Sequence, residues 1–337
     1  MGKKSLMIPS KQIPSKGGKR GMLVKSGVCV CLLVSLIYVA TGVLSTEQQF
    51  GYEIFQPALF GNPANSQPKT PRILGFEVVD SYYHDPSAFT QGFLFDQYCT
   101  IDPLKPCDEV AWESTGLYGR SSVRLVNLKT GDVLQKTSLP RQYFGEGMAR
   151  VDRNLYQLTW QKSKGFIYDM NLKQVGEFDT PLSDGWGLTT DGQSLVVSDS
   201  TDVLYWLDIK NFQIIKQISV RDGDRPIKWL NELEMIDREI WANVWQTDCI
   251  ARIDPRTGQV NSWVDLENLT KIAAAKAQKR NRKMDVLNGI AWDVKNREVY
   301  VTGKLWPAVY KVKITAGEKR PPTEEELQSI RSKCIPN

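Results

Sequence analysis

One carboxylate, two carboxamides and one ammonium in this chain have the chemistry to move a proton and support a developing negative charge. Glu146 stands in FGEG, with glycine on both sides and Phe144 two residues earlier. Glycine lets backbone approach a ligand closely, and an aromatic neighbour excludes water. A carboxylate against such walls has its charged form disfavoured, which suits proton transfer near neutral pH. The competing reading of Glu146 is a structural carboxylate satisfied by turn amides. Gln91 and Asn231 bring neutral amides that both donate and accept, suited to holding a peptide-like group. Lys304, in VTGKLWP, can aim an ammonium at an oxyanion. Trp160, Trp186 and Trp245 fall at strand ends and can wall a mouth, with packing between sheets as the structural alternative. Asn288 reads as a residue that closes the interior. The single histidine, His84, lies in an HDP turn and is expected to be an ordinary turn or rim residue. One histidine excludes a His-rich zinc site and makes a Ser–His–Asp or Cys–His device implausible. There is no Walker loop, and no GxGxxG follows a strand and opens a helix.

These residues recur with a rhythm. Gln91 in FTQGF, Glu146 in FGEGM, Trp186 in DGWGL, Asn231 in LNELE and Asn288 in LNGIA each precede or sit in a small-residue turn that opens a strand. The interval is about 40–57 residues, the signature of a β-propeller in which each copy is one four-stranded blade. Equivalent positions then converge on one channel. Second strands read as EVAWEST, NLYQLTW, SLVVSDS, EIWANVW and EVYVTGK, and third strands as SVRLVNL, GFIYDMN, VLYWLDI, CIARIDP and AVYKVKI. Only four fourth strands follow. FEVVDSYY (76–83) is therefore expected to pair with AVYKVKI (308–314) and close the ring, leaving no open edge there. The fold class is all-β, a five-bladed propeller over residues 73–317. LTKIAAAKAQKRNRKM (269–284) lacks β alternation and reads as a solvated helical insertion. Residues 318–337 read as a C-terminal tail.

The net charge of +5 comes from one end of the chain. Residues 1–25 carry seven Lys or Arg and no acid, which leaves 36 basic against 38 acidic residues elsewhere. A nucleic-acid partner, which needs a basic folded face, is not indicated. Gly27 to Leu44 is an apolar run broken only by Ser35 and Thr41. With its basic flank, the segment at 26–44 reads as a signal-anchor with a cytosolic tail at 1–25, or as a cleaved signal peptide. Residues 45–72 read as a stalk. Either way the body enters the secretory lumen. Cys29 and Cys31 lie in the apolar run, leaving Cys99, Cys107, Cys249 and Cys334. Four thiols allow three pairings, and sequence does not decide among them. The pairing favoured here is Cys99–Cys107 and Cys249–Cys334; the alternative is free buried thiols. Asn268-Leu269-Thr270 is the one N-glycosylation sequon.

On the stretches FTQGF, STGLYGRSSVR, FGEGM, LYQLTW, DGWGL, LNELE, WANVWQTDCIARIDP, DVLNGIAWD and VTGKLWP, the chain resembles the plant-type glutaminyl-peptide cyclotransferases. The stretches run in order from about residue 76 to 314. The resemblance implies a five-bladed propeller that converts the N-terminal glutamine of peptides and proteins to pyroglutamate, releasing ammonia. It implies that Glu146 transfers the proton and that Asn231 and Lys304 polarise the substrate. Phe89, Gln91, Phe144, Trp160, Trp186 and Trp245 match the pocket lining. The chain departs at the insert YCTIDPLKPCDE (98–109) and in the basic helix 269–284, which bear on rim shape. No metal or cofactor is needed in this scheme, and a cation plugging the central channel would be structural. Two other readings compete. One is a luminal propeller that binds peptides or glycans without catalysis; the other, a metal-dependent propeller hydrolase, needs several converging carboxylates, whereas the matched set offers one.

Overall fold

The structure is a computed structural model that describes residues 70–99, 107–317 and 320–336. The basic tail, the 26–44 segment, the stalk up to residue 69 and most of the 98–109 insert lie outside the described residues. Among the described residues, no helix is long and apolar enough to cross a membrane.

Among the described residues the fold is all-β, with two helices. β1 (Arg72–Tyr83) precedes a first sheet of β2 (Thr90–Tyr98), β3 (Asp108–Thr115), β4 (Ser122–Asn127) and β5 (Val133–Ser138). The second sheet is β6 (Gly145–Val151), β7 (Asn154–Thr159), β8 (Lys164–Asp169) and β9 (Gln174–Asp179). The third is β10 (Leu188–Thr190), β11 (Ser194–Ser198), β12 (Val203–Asp208) and β13 (Ile214–Ser219). A two-stranded ribbon, β14 (Arg221–Asp222) and β15 (Arg225–Pro226), follows. Then come β16 (Leu230–Ile236), β17 (Glu239–Val244), β18 (Cys249–Ile253) and β19 (Val260–Asp265), helix α1 (Glu267–Lys279), and β20 (Leu287–Asp293), β21 (Glu298–Gly303) and β22 (Ala308–Thr315). Helix α2 (Glu324–Cys334) ends the described chain.

β1 is antiparallel to β22, from Phe76 opposite Ile314 to Tyr83 opposite Ala308, as the missing fourth strand required. It begins earlier than expected, and the reason is a second partner. Arg72, Ile73 and Leu74 lie parallel to Ser262, Trp263 and Val264 of β19. The last two four-stranded units are thereby joined into one eight-stranded sheet, ordered β16-β17-β18-β19-β1-β22-β21-β20.

The units bury their faces against one another in turn. Leu94 and Trp112 pack with Met148 and Phe166, joining the first unit to the second. Leu158 and Phe178 meet Leu188 and Val197 of the third, and Trp206 meets Trp263 of the fourth. Trp241 and Ile250 meet Leu287 and Val301. Phe93 and Ala111 then meet Tyr300 and Val309, returning to the start. The opening strands follow the same cycle: β2 neighbours β6 and β20, β10 neighbours β6 and β16, and β16 neighbours β20. Their approach explains the glycines. A Cβ on Gly187 would lie 1.8 Å from Asn231 O, and one on Gly147 would lie 2.4 Å from Leu188 N. The glycine after Glu146 thus serves strand-to-strand contact, not the contact with a ligand that the sequence suggested.

Three other expectations change. His84 is no rim residue: it is 2% exposed, with Nε2 3.0 Å from Glu113 Oε1 and Nδ1 2.8 Å from Trp306 O. Arg124 and Thr90 also bond Glu113; although burial opposes it, Arg124 and His84 hold that carboxyl well below its ordinary range. Helix α1 is not solvated all round, because Leu269, Ala273 and Ala277 recur every fourth residue and bury one stripe. The C-terminal tail holds α2, started by a Thr323–Glu326 capping box. Both favoured disulfides are present: Cys99–Cys107 with Cα atoms 4.2 Å apart, and Cys249–Cys334 at 5.4 Å, which staples α2 to β18. Arg331 reinforces that staple by pairing with the buried Asp222. Bridges of this kind form and persist in oxidising compartments.

Candidate active site

Each polar site residue on an opening strand sits in a break of strand register. The pairing shifts between Thr90 and Gly92, Gly145 and Met148, Leu230 and Leu233, and Leu287 and Ile290. Gln91, Glu146, Asn231 and Asn288 occupy these four bulges. A bulge leaves one residue outside the ladder and re-aims its side chain, here toward the neighbouring opening strands. Two residues earlier, the backbone is pinned again: Gly116 N donates to Phe89 O (2.8 Å), Trp160 N to Phe144 O (2.9 Å) and Trp245 N to Trp229 O (2.9 Å). Phe89, Phe144 and Trp229 are therefore equivalent positions, one layer outside the polar set. Trp160, Trp245 and Lys304 share another feature. Each is followed by a left-handed residue, Gln161, Gln246 and Leu305, with φ of +53°, +62° and +61°. Such backbone is costly for non-glycine residues and turns the chain sharply at the mouth.

All nine residues expected from sequence line one cavity of about 280 Å³: Phe89, Gln91, Phe144, Glu146, Trp160, Trp186, Asn231, Trp245 and Lys304. A tenth, Asp285, was not anticipated. The walls are aromatic. Phe144 meets Phe89 at 5.9 Å and Trp160 at 5.6 Å, edge to face, while Trp186 meets Trp245 at 5.6 Å and Trp229 backs Trp245 at 5.8 Å. The Trp186 indole is fixed by donation to Asp184 (3.1 Å).

The polar floor is buried. Glu146 is 4% exposed, Asn231 3% and Lys304 5%. Gln91 Nε2 donates to Glu146 Oε1 (3.0 Å), and Asn288 Nδ2 donates to Gln91 Oε1 (3.1 Å) and to Thr90 O (2.9 Å). Gln91 is thus oriented with its amide N–H toward the acid. Burial pushes the Glu146 carboxyl well above its ordinary range, with Lys304 opposing and Asp184 adding to the shift. Burial lowers Lys304, opposed by Glu146 and Asp285. The Lys304 ammonium lies 5.1 Å over the Phe89 ring, a cation–π contact. Asn231 Oδ1 is buried without a hydrogen-bond partner. An orphaned buried acceptor costs about 1–3 kcal/mol, a cost that a bound donor would relieve.

Asn288 takes the interior role expected of it, accepting from Glu232 N (3.2 Å). Glu232 itself was missed. It is fully buried and accepts from Ile290 N (2.8 Å) and Phe93 N (3.3 Å), so it ties three opening strands together through amides their own ladders leave free. Burial and the neighbouring Glu234 raise its carboxyl well above the ordinary range. The centre of the molecule therefore holds a second carboxyl beyond Glu146, and backbone amides engage it. Among the described residues, no three His, Cys, Asp or Glu side chains group as metal ligands would. Larger clefts of about 380 and 450 Å³ flank the start of β1. Their charges include the pairs Arg320–Glu326 and Arg252–Glu239.

An all-β cycle of sheets thus surrounds an aromatic-walled cavity that holds a buried acid of raised pKa, an unpartnered amide oxygen and a buried ammonium. The chain belongs to the glutamine cyclotransferase family, whose family model matches residues 54–314. It is 45% identical over 244 residues to a glutaminyl-peptide cyclotransferase of Arabidopsis thaliana, covering 72% of each chain. Among solved structures it is similar to a glutaminyl cyclase of Myxococcus xanthus. The TM-score is 0.64 and the identity 29%, covering 73% of this chain and 98% of that one.

Proposed function

We propose that this protein is a glutaminyl-peptide cyclotransferase, an acyltransferase that converts N-terminal glutamine to pyroglutamate and releases ammonia. The observation that carries this reading is Glu146, buried and held by Gln91, sharing one cavity with Asn231 and Lys304. An N-terminal glutamine already contains its nucleophile, the α-amine, and its electrophile, the side-chain carboxamide carbon. The tryptophan walls fold the side chain back and hold the two ends at attack distance, an entropy effect worth several kcal/mol. The amine nitrogen bonds to the carboxamide carbon, and Glu146 takes the amine proton. Lys304 and Asn231 hold the tetrahedral intermediate through its oxygen and nitrogen. Glu146 then protonates the leaving nitrogen, the carbon–nitrogen bond breaks, and ammonia departs from a five-membered lactam.

The five four-stranded units in their cycle are read as five blades of a propeller spanning 73–317, closed by β1. Ahead of it we place the cytosolic tail (1–25), the signal-anchor (26–44) and the stalk (45–72), giving a type II protein facing the secretory lumen. The exposed Asn268 of the sequon is available to a glycan there.

The test is incubation of the protein with a Gln-initiated peptide, following ammonia and loss of the free amine. One ammonia released for each free amine lost is expected. Peptide bound but unchanged would replace this reading with the non-catalytic one.

A further inference from the structure

Asp285 is the one charged side chain of the cavity that is exposed; Glu146 and Lys304 lie inside. It closes the loop between α1 and β20, and its position is fixed from three directions. Its N–H donates to Lys304 O (2.8 Å), its carbonyl accepts from the indole of the fully buried Trp306 (2.9 Å), and Lys304 N donates to the next residue, Val286 (2.9 Å). Its carboxylate therefore stands at the mouth beside Lys304, held by a locked backbone. The floor groups are what a terminal glutamine would engage. The rest of a peptide must leave past the exposed rim, to which Asp285 belongs.

We propose that Asp285 sets specificity at the residue following the terminal glutamine, favouring a basic side chain there and disfavouring an acidic one. This rests on the cyclotransferase reading of the same cavity. Other charges nearby set the size of the effect, the exposed Arg282 and Lys283 just before Asp285 opposing it. Asp184, tied to Trp186, adds negative potential on the opposite wall. The basic loop before Asp285 is exposed, and Arg280 is engaged over the Tyr83 ring at 5.4 Å. Lys304 is buried under Phe89 and is the floor's own cation.

The experiment compares kcat/KM for Gln-Lys and Gln-Glu peptides that are otherwise identical. One charge pair across a solvated mouth gives about a three- to tenfold preference for Gln-Lys at low salt, shrinking as salt is added. Asp285→Asn keeps the oxygen that accepts from Val286 N (2.7 Å) and so preserves the turn. It is expected to lower the ratio toward one, mainly through KM, and Asp285→Lys to invert it. A purely structural role would slow both peptides equally and leave the ratio unchanged. Equal wild-type rates, or a ratio that neither substitution moves, overturn this assignment alone. No turnover of either peptide overturns the cyclotransferase reading and this one with it.

Discussion

Replacing Glu146 by glutamine changes the chemistry while nearly preserving the shape. The side chain is 4% exposed, and the one hydrogen bond to its carboxylate among the described residues comes from Gln91 Nε2. A carboxamide oxygen can keep that bond. What is lost is the ability to accept the amine proton and return it to the leaving nitrogen. A positioned general acid–base contributes about 10²–10⁴-fold, or about 3–5.5 kcal/mol at 1.36 kcal/mol per decade. The walls and the Asn231–Lys304 floor stay in place, so the loss should fall on kcat with KM changed little. The assay is steady-state ammonia release from a Gln-initiated peptide, with circular dichroism to show that the variant is folded. A folded Glu146→Gln enzyme working within a few-fold of wild type would refute the proton-shuttle argument.

The pH profile should be bell-shaped. Glu146 is needed as carboxylate, so activity is lost as pH falls through its raised pKa, and the acid limb lies nearer neutrality than an ordinary carboxyl would place it. Lys304 is needed charged, so activity is lost as pH rises through its lowered pKa, and the alkaline limb falls below 10.5; a rate flat across this range would contradict both roles. Trp186→Ala or Trp245→Ala should raise KM by about tenfold or more through lost apolar contact, read from the same assay. Gly187→Ala forces a Cβ against Asn231 O; a loss of about 1–3 kcal/mol in urea unfolding is expected, together with reduced activity because Asn231 must move. Cys334→Ser opens a bridge across 85 residues of sequence. Chain entropy predicts a loss of about 4–5 kcal/mol, and thermal melting of the variant against the wild type would show it.

The ring was legible because each opening strand carries its polar residue beside a small-residue turn, and because a strand was missing that 76–83 could supply. The nine lining residues followed from matched positions and from family resemblance, whereas the Cys249–Cys334 bridge belonged to one of three pairings that sequence left open. What sequence hid was direction. Adjacent residues on a regular strand point to opposite faces, yet Asn231 and Glu232 both point inward because a bulge lies between Leu230 and Leu233. Glu232 was passed over for that reason. Asp285 follows a run of lysine and arginine that reads as solvent-facing, and only its bonds to Lys304 and Trp306 carry it to the mouth. Trp229 is two residues before Asn231, the same offset as Phe89 to Gln91 and Phe144 to Glu146, a signal that was available. Thr323 to Glu326 also carried a capping signature for α2. His84 gave no such sign, since its burial depends on Glu113, which is distant in sequence.

The most direct test is a crystal structure of the Glu146→Gln protein with a Gln-initiated peptide bound. The account predicts the terminal glutamine between the tryptophan walls, its α-amine next to residue 146 and its side-chain carboxamide within about 3.5 Å of Lys304 Nζ or the Asn231 amide. A peptide seated elsewhere on the protein, or one whose amine faces away from residue 146, would contradict it.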